Sequence, residues 1–472
     1  MRRGVWLLAG LVTVIEVAFA GGYGYHRDEL YFLAAGQHLG WGYADQGPMV
    51  PFLAWLTHGI APDSLFVLRL PAALAAGAVV LVSAAIAREL DGDGRAELIA
   101  AAGTGASSLV LFDGHLLNTS TFDLLIWTVA SWLFLRAVRT GVGWLWSVVG
   151  VVLGVGLLNK PLPAFLGAAV LVGIAVTGPR QMLRRPYPWL GAVIAVLIGS
   201  PWLLWQAGHG WPELAVSRSI ASGGSTSSQP WWLVIPFQFL LASPLLAPLL
   251  VVGWWRLWRA PTRFLAVAWA LLGVVFMVTG GKPYYLAGLL PVVIAAGAVA
   301  ARQWSARVQW PATVLWGAIA VGAAVNLVIA LPILPARMSG PVIALNPDVG
   351  ETIGWPDLVR TVVAVRHRLP ADAPVVVLTD NYGEAGALQH YGVSNVYSGH
   401  NAYGDWGPPP PDGVPVIAVG NHVAGYLREC TPAARITNAA GVHNDEQGTP
   451  VWICAGPRTS WSAEWPRIRH LG

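Results

Sequence analysis

Tyr25-His26-Arg27-Asp28-Glu29-Leu30-Tyr31-Phe32 is the stretch on which the reading of this chain turns. Four adjacent polar residues interrupt a sequence that is otherwise mostly apolar, and the run onward to Ile60 holds one further acid, Asp45. An arginine or aspartate at the centre of a membrane helix costs about 2.5–3.5 kcal/mol on the insertion scale. With Arg27, Asp28 and Glu29 adjacent, residues 22–63 are not read as a span. They are expected to lie against one membrane face and to carry the chemistry. The apolar run 49–60 is too short to cross and reads as an interfacial or re-entrant piece.

The rest of the chain supplies the membrane. Of 472 residues, 55% are hydrophobic and 11% charged, with a mean hydropathy of +0.56. Soluble domains are nearer a quarter charged, so this is an integral membrane protein. The 25 tryptophans suit two interfaces. The net charge of +4 is assigned to cytoplasmic loops, not to nucleic-acid binding. Met1 to Ala20 has the outline of a cleavable signal, with Arg2-Arg3, an apolar run and a small-residue end. Glu16 inside that run and the many later spans favour an uncleaved first helix.

Apolar runs long enough to span fall near 4–21, 64–88, 97–112, 122–138, 187–205, 231–254, 263–279, 284–301 and 309–331. A longer stretch, 143–177, is broken at Asn159-Lys160-Pro161. Arg136 and Arg139 precede it, and Arg180, Arg184 and Arg185 follow it. Both flanks are therefore cytoplasmic, and the stretch crosses twice as short helices reaching roughly 24 Å each. The sum is about eleven spans, with the N-terminus inside. The division is a transmembrane domain, 1–335, and an extracytoplasmic α/β domain, 336–472. In the latter, 374–380, 414–419 and 451–454 read as strands and 384–391 as a helix. Pro408 to Pro411 reads as a stiff turn, and Ser222 to Gln229 as a mobile loop. Cys430 and Cys454 have one pairing open to them, which the outward compartment permits without requiring.

The outward ionisable groups are the candidates for chemistry, because boundary charges are expensive and usually functional. Asp28 and Glu29 are neighbours, so on a helix their side chains diverge by about 100° and cannot act on one atom. One serves as base while the other binds a different group or caps the helix. Lys160 and Lys282 are the only lysines in the chain, and each precedes a proline. Arginine would serve topology equally well, so the choice points to a compact ammonium facing a phosphate. Tyr284 and Tyr285 follow directly and can donate to the same group. Plainer readings exist: loop solvation for the acidic pair, a helix first-turn acid for Asp123, and snorkelling for the lysines. No Walker loop, dinucleotide fingerprint, nucleophile elbow or metal-ligand spacing is present.

His26-Arg-Asp-Glu-Leu-Tyr-Phe32, Tyr43-Ala-Asp-Gln-Gly-Pro48, Thr121-Phe-Asp123, Asn159-Lys-Pro161 and Gly281-Lys-Pro-Tyr-Tyr-Leu286 together resemble the motifs of GT-C glycosyltransferases. Within these the chain is similar to the protein O-mannosyltransferase and lipid A aminoarabinose transferase group. The resemblance covers most of residues 1–300 and implies a polyprenyl-phosphate sugar donor used on the outer side of the membrane. The acceptor is a glycan, lipid or protein. Asp28 is then the base, with Glu29, Asp123 and His115 toward acceptor or sugar hydroxyls. Lys160, Lys282, Tyr284, Tyr285 and Arg27 face the donor phosphate. No cofactor or metal ligand is assigned, and divalent-metal dependence stays open. One departure is Gln46-Gly47 before Pro48, where aminoarabinose transferases carry a lysine. A lipid-linked-sugar flippase is the alternative from another class; it would place ionisable groups at mid-membrane or on both sides.

This topology predicts that a cysteine placed at Asp412 reacts with a membrane-impermeant thiol reagent in whole cells, while one at Gln181 does not. Labelling at Gln181 would undo the double crossing of 143–177.

Overall fold

The computed structural model describes residues 2–225, 228–308, 312–410 and 412–472. The expected Ser222–Gln229 loop, Pro408–Pro411 turn and 309–331 run each include residues outside that set. The helical part begins with α1 (Arg3–Phe19). Two shorter helices follow, α2 (Arg27–Gln37) and α3 (Met49–Ile60), which pack as a hairpin. After them come α4 (Leu65–Glu89), α5 (Gly94–Gly105), α6 (Ser108–His115), α7 (Thr119–Thr140), α8 (Trp144–Leu157), α9 (Leu162–Thr177) and α10 (Pro186–Gly208). The series continues with α11 (Pro212–Ala221), α12 (Pro236–Ala242), α13 (Ala247–Arg259), α14 (Arg263–Val278), α15 (Leu290–Val308) and α16 (Ala312–Ala330).

Among the described residues, five helical segments are long and apolar enough to cross a membrane, and two bent pairs raise this to seven. The expected eleven is reached only if α1, α8, α9 and α14, of 17, 14, 16 and 16 residues, also cross. Two expected spans are not continuous. The first bends by 58° between α5 and α6. There α5 ends at Gly105 and Ser107 caps α6, its hydroxyl accepting from Val110 N at 3.3 Å. The second bends by 105° between α12 and α13. Pro244 has no N–H to continue the ladder, and Ser243 sits at φ +127°. The run 49–60 is a separate helix with Phe52, Trp55, Leu56 and Ile60 exposed, as an interfacial piece requires. Small residues bring α8 and α10 together: a Cβ at Gly150 would stand 2.2 Å from the Gly191 carbonyl oxygen.

Beyond α17 (Gly340–Leu345) and α18 (Trp355–Arg366) the chain builds a sheet. It comprises β1 (Val376–Thr379), β2 (Val396–Ser398), β3 (Val416–Val419), β5 (Thr431–Arg435) and β6 (Pro450–Cys454), in the order β2-β1-β3-β6-β5. The first three strands run parallel, and β6 and β5 add antiparallel. A two-residue pair, β4 (Leu427–Arg428) with β7 (Gly456–Pro457), stands beside it. The helix α19 (Tyr382–His390) follows β1, and α20 (Trp461–Ile468) closes the fold. Cys430 and Cys454 are disulfide-bonded, resolving the pairing left open above.

Alternation along the strands divides the burial. Val376, Leu378, Val416 and Ala418 pack against α20. Val377, Ile417, Val419 and Val451 share a core with Leu30, Tyr31, Phe32 and Val50 of α2 and α3. The sheet region and the loop after the first helix are therefore one packing unit.

A buried ion pair fixes α2 within that unit. Arg69, 1% exposed in α4, donates from Nε to Glu29 Oε1 at 2.9 Å and from Nη2 to Oε2 at 2.8 Å. Its remaining N–H groups reach the carbonyls of Ala20 and Gly24, both at 2.7 Å, and His115 Nε2 at 3.2 Å. All five guanidinium donors are thus used. Glu29 also accepts from His26 N at 2.8 Å and Leu117 N at 3.0 Å, closing a capping box at the start of α2.

Removing one partner of such a pair strands the other in the interior, at a cost of about 3–5 kcal/mol. Arg69→Met is expected to lower the melting temperature of the detergent-solubilised protein clearly, and Arg69→Met with Glu29→Gln to recover much of the loss. An Arg69→Met protein as stable as the parent would remove the pair from this role.

Candidate active site

The quoted motifs meet at one end of the helical part through backbone contacts. Gly47 N donates to Asn159 O at 3.2 Å, and Met49 N to Leu158 O at 3.0 Å. A Cβ at Gly47 would stand 2.1 Å from the Leu158 carbonyl, so only glycine allows this approach. Asn159 Nδ2 donates in turn to Thr119 O at 2.8 Å, at the start of α7. Gln206 links α10 to the same loop, donating to Tyr43 O at 3.2 Å and accepting from Glu213 N at 3.2 Å. The turn bearing Lys282 is held by Gln238, whose Nε2 reaches Pro283 O at 2.8 Å. Gly280, at φ +66°, lets that turn lie against Ala221 of α11.

These contacts gather the charged groups. The Lys160 and Lys282 ammonium groups lie 5.3 and 6.0 Å from the centre of the same ring, Tyr284. Lys282 is within electrostatic range of Asp28, Asp45 and Asp348. Burial and the neighbouring Lys160 push its ammonium down to about 8. Asp123 and Asp113 lie within range of Lys160. Tyr285 packs edge-on against Tyr284, with ring centres 5.1 Å apart. Burial opposes ionisation of Asp28, but His26, Arg27 and the Tyr382 hydroxyl outweigh it and hold the carboxyl below its usual range. Asp45 accepts from Tyr31 at 2.7 Å and from Asn401 Nδ2 at 2.8 Å. Burial, aided by the Asp28 charge, pushes it up to about 6. Burial and Asp45 push Glu213 up to about 7. Gln46 is buried, and among the described residues neither its amide oxygen nor its nitrogen has a hydrogen-bond partner. Among the described residues no group of three His, Cys, Asp or Glu side chains is arranged to hold a metal ion.

Three expected site residues have their side chains engaged by partners within the chain. Glu29 has both oxygens taken by Arg69 and two backbone donors, so it is not offered to a sugar or acceptor hydroxyl. His115 is buried between Arg69 and Glu16, its Nδ1 3.9 Å from a Glu16 oxygen. Arg27 forms ion pairs with Glu351 at 3.5 Å and Asp445 at 3.3 Å, and it covers the Tyr382 ring. Sequence reasoning missed Arg69, although an arginine inside an apolar run is a visible signal. It also missed Tyr382 and Asn401, which reach the site from 354 and 356 residues away.

The family described as dolichyl-phosphate-mannose-protein mannosyltransferase matches residues 45–205, a stretch holding Asp45, Asp123 and Lys160 but not Asp28 or Lys282. Two relatives are undecaprenyl phosphate-alpha-4-amino-4-deoxy-L-arabinose arabinosyl transferases of Pseudomonas fluorescens. One is 26% identical over 266 residues, covering 51% of this chain and 45% of the relative. The other is 27% identical over 338 residues, covering 66% and 56%. The chain thus spans about half the length of the curated relatives it matches. The crystal structure of ArnT from Cupriavidus metallidurans in the apo state superposes with a TM-score of 0.63 at 16% identity, over 95% of this chain and 97% of that one. Its complex with undecaprenyl phosphate gives 0.62 over the same shares. The chain is an integral membrane protein with the GT-C glycosyltransferase fold. Within that class it is similar to the undecaprenyl phosphate-alpha-4-amino-4-deoxy-L-arabinose arabinosyl transferases and to ArnT.

Around Arg27, burial and the charge of Glu446 raise the carboxyl of Glu351, and burial and Asp445 raise that of Glu446. The unfolded chain ionises them near the ordinary 4.5. From there upward the unfolded state holds fewer protons than the folded one, so stability falls with rising pH until the folded groups have ionised. Glu446→Gln is expected to flatten that decline in melting temperature. An unchanged slope would show that Glu446 is not the group responsible.

Proposed function

We propose that this chain moves a sugar from a polyprenyl-phosphate donor to an acceptor hydroxyl. The observation that carries the reading is the convergence of Lys160 and Lys282 on one tyrosine, with Asp28 in electrostatic range of Lys282. The resemblance to transferases that use such donors supports it. A phosphate leaving group needs no acid to protonate it, so the site must supply a base and cations. The acceptor oxygen attacks the anomeric carbon as its proton passes to Asp28. The bond from that carbon to the phosphate oxygen breaks, and the phosphate departs with the electron pair toward Lys160 and Lys282. One direct displacement inverts the anomeric centre. Tyr284 and Tyr285 line the phosphate side, Asp123 the sugar or acceptor side. Gln46 offers an amide where the similar transferases carry a lysine, leaving the cationic work to the two lysines.

The same reading sets residues 1–335 in the plasma membrane as eleven spans. The site and residues 336–472 then face outward, with a glycan, lipid or protein as acceptor. The arginine-rich loops on the opposite side support it.

The test is turnover and donor affinity of purified protein in detergent, where no second compartment exists. Asp28→Asn should lower turnover by about a hundredfold to ten-thousandfold, the usual worth of general base catalysis, with donor binding kept. Lys160→Met and Lys282→Met should weaken donor binding and turnover, and the Arg variants should lose about a hundredfold in rate through misplacement. Wild-type values for Asp28→Asn would move the base elsewhere, and normal values in all four lysine variants would take the phosphate away from them.

A further inference from the structure

We propose that Tyr382, carried by the sheet region, is a positioning residue for Asp28, so that the site is completed by a part of the chain outside the helical bundle. The inference rests on the reading of Asp28 as base. Among the described residues the Tyr382 hydroxyl is the only donor to the Asp28 side chain, reaching Oδ1 at 2.9 Å. That contact leaves Oδ2 for an incoming hydroxyl.

The phenol is not free to swing. Its ring stacks on Tyr31 with centres 4.6 Å apart, lies 5.0 Å beneath the Arg27 guanidinium, and meets His400 at 4.7 Å. The helix that carries it is seated with equal care. Asn381 and Glu384 form a capping box that fixes where α19 begins, which makes Tyr382 its first residue. A Cβ at Gly386 would stand 2.9–3.0 Å from the backbone of Leu30, so α19 rests directly on the helix that holds Asp28. Gly383 comes as near to Arg27. Cap, glycines and ring stack together set the hydroxyl at one place over α2. A hydrogen bond there favours the ionised carboxylate and selects one of its rotamers, which are the two properties a base in a partly buried site needs.

Tyr382→Phe removes only the hydroxyl and keeps the ring, so docking of α19 is preserved. The assay is turnover, donor KM and the pH profile, with melting temperature alongside. A hydrogen bond to a charged group is worth a factor of roughly ten to a hundred. The expected result is a kcat loss of that size at unchanged donor KM and melting temperature. The acidic limb of the profile should move to higher pH, because the carboxylate without its donor takes up a proton sooner. Tyr403→Phe, which loses a bond to Gln389 at 2.7 Å with no contact to Asp28, should leave the limb where it is. A Tyr382→Phe enzyme with parental kcat and limb overturns the proposal, as does a loss matched by Tyr403→Phe. Asp28→Asn separates the two levels of failure. If it is active, the base is elsewhere and the underlying reading goes with it. If it is inactive while Tyr382→Phe is unaffected, only the role of Tyr382 falls.

Discussion

A single arginine inside the second long helix holds the candidate site in shape. Arg69 spends two donors on Glu29 and the other three on Ala20, Gly24 and His115, so α1, α2, α4 and α6 converge on one guanidinium. The planar fork matters: an ammonium could not reach five acceptors in one plane. Because Glu29 is fastened this way, the rotation of α2 about its axis is set. Asp28, one residue back, then points about 100° away, toward the lysines and Tyr382. The acidic pair thus divides its work between structure, carried by Glu29, and the chemistry proposed for Asp28.

Much of this was legible in the sequence, and the misses have physical causes. The apolar helical segments, the turn at Asn159-Lys160-Pro161 and four elements of the sheet region follow from hydropathy and period. The meeting of Tyr43–Pro48 with Asn159–Pro161 is hinted at by the motifs alone; hydropathy and period are silent on it, because the contact is made by backbone atoms. For Glu29, His115 and Arg27 the sequence offers residue type, membrane side and a family resemblance. Those criteria bring a charge to the right end of a helix and leave its direction open. Arg69 was averaged away inside an apolar run, and its partner lies 40 residues earlier. The breaks at Ser107 and Ser243-Pro244 were smoothed over in the same way, although Pro244 was a visible warning.

The sheet region is more than an appendage. One face of its strands shares a core with α2 and α3, and the hydrogen bonds from Tyr382 to Asp28 and Asn401 to Asp45 cross the same boundary. Four acids (Glu351, Glu446, Asp445 and Glu384) surround Arg27 at this seam or lie within its field. Their ionisation therefore bears on how firmly the two parts hold together.

That shared core also imposes an order in time. The ribosome delivers Asp28 and its apolar neighbours 354 residues before Tyr382, the residue that covers them. At about 5–20 residues per second, the gap is roughly 20–70 s. For that interval Leu30, Tyr31 and Phe32 have no sheet to pack on. A nascent chain with this architecture must shelter them at the membrane surface until the strands from Val376 to Cys454 have been made.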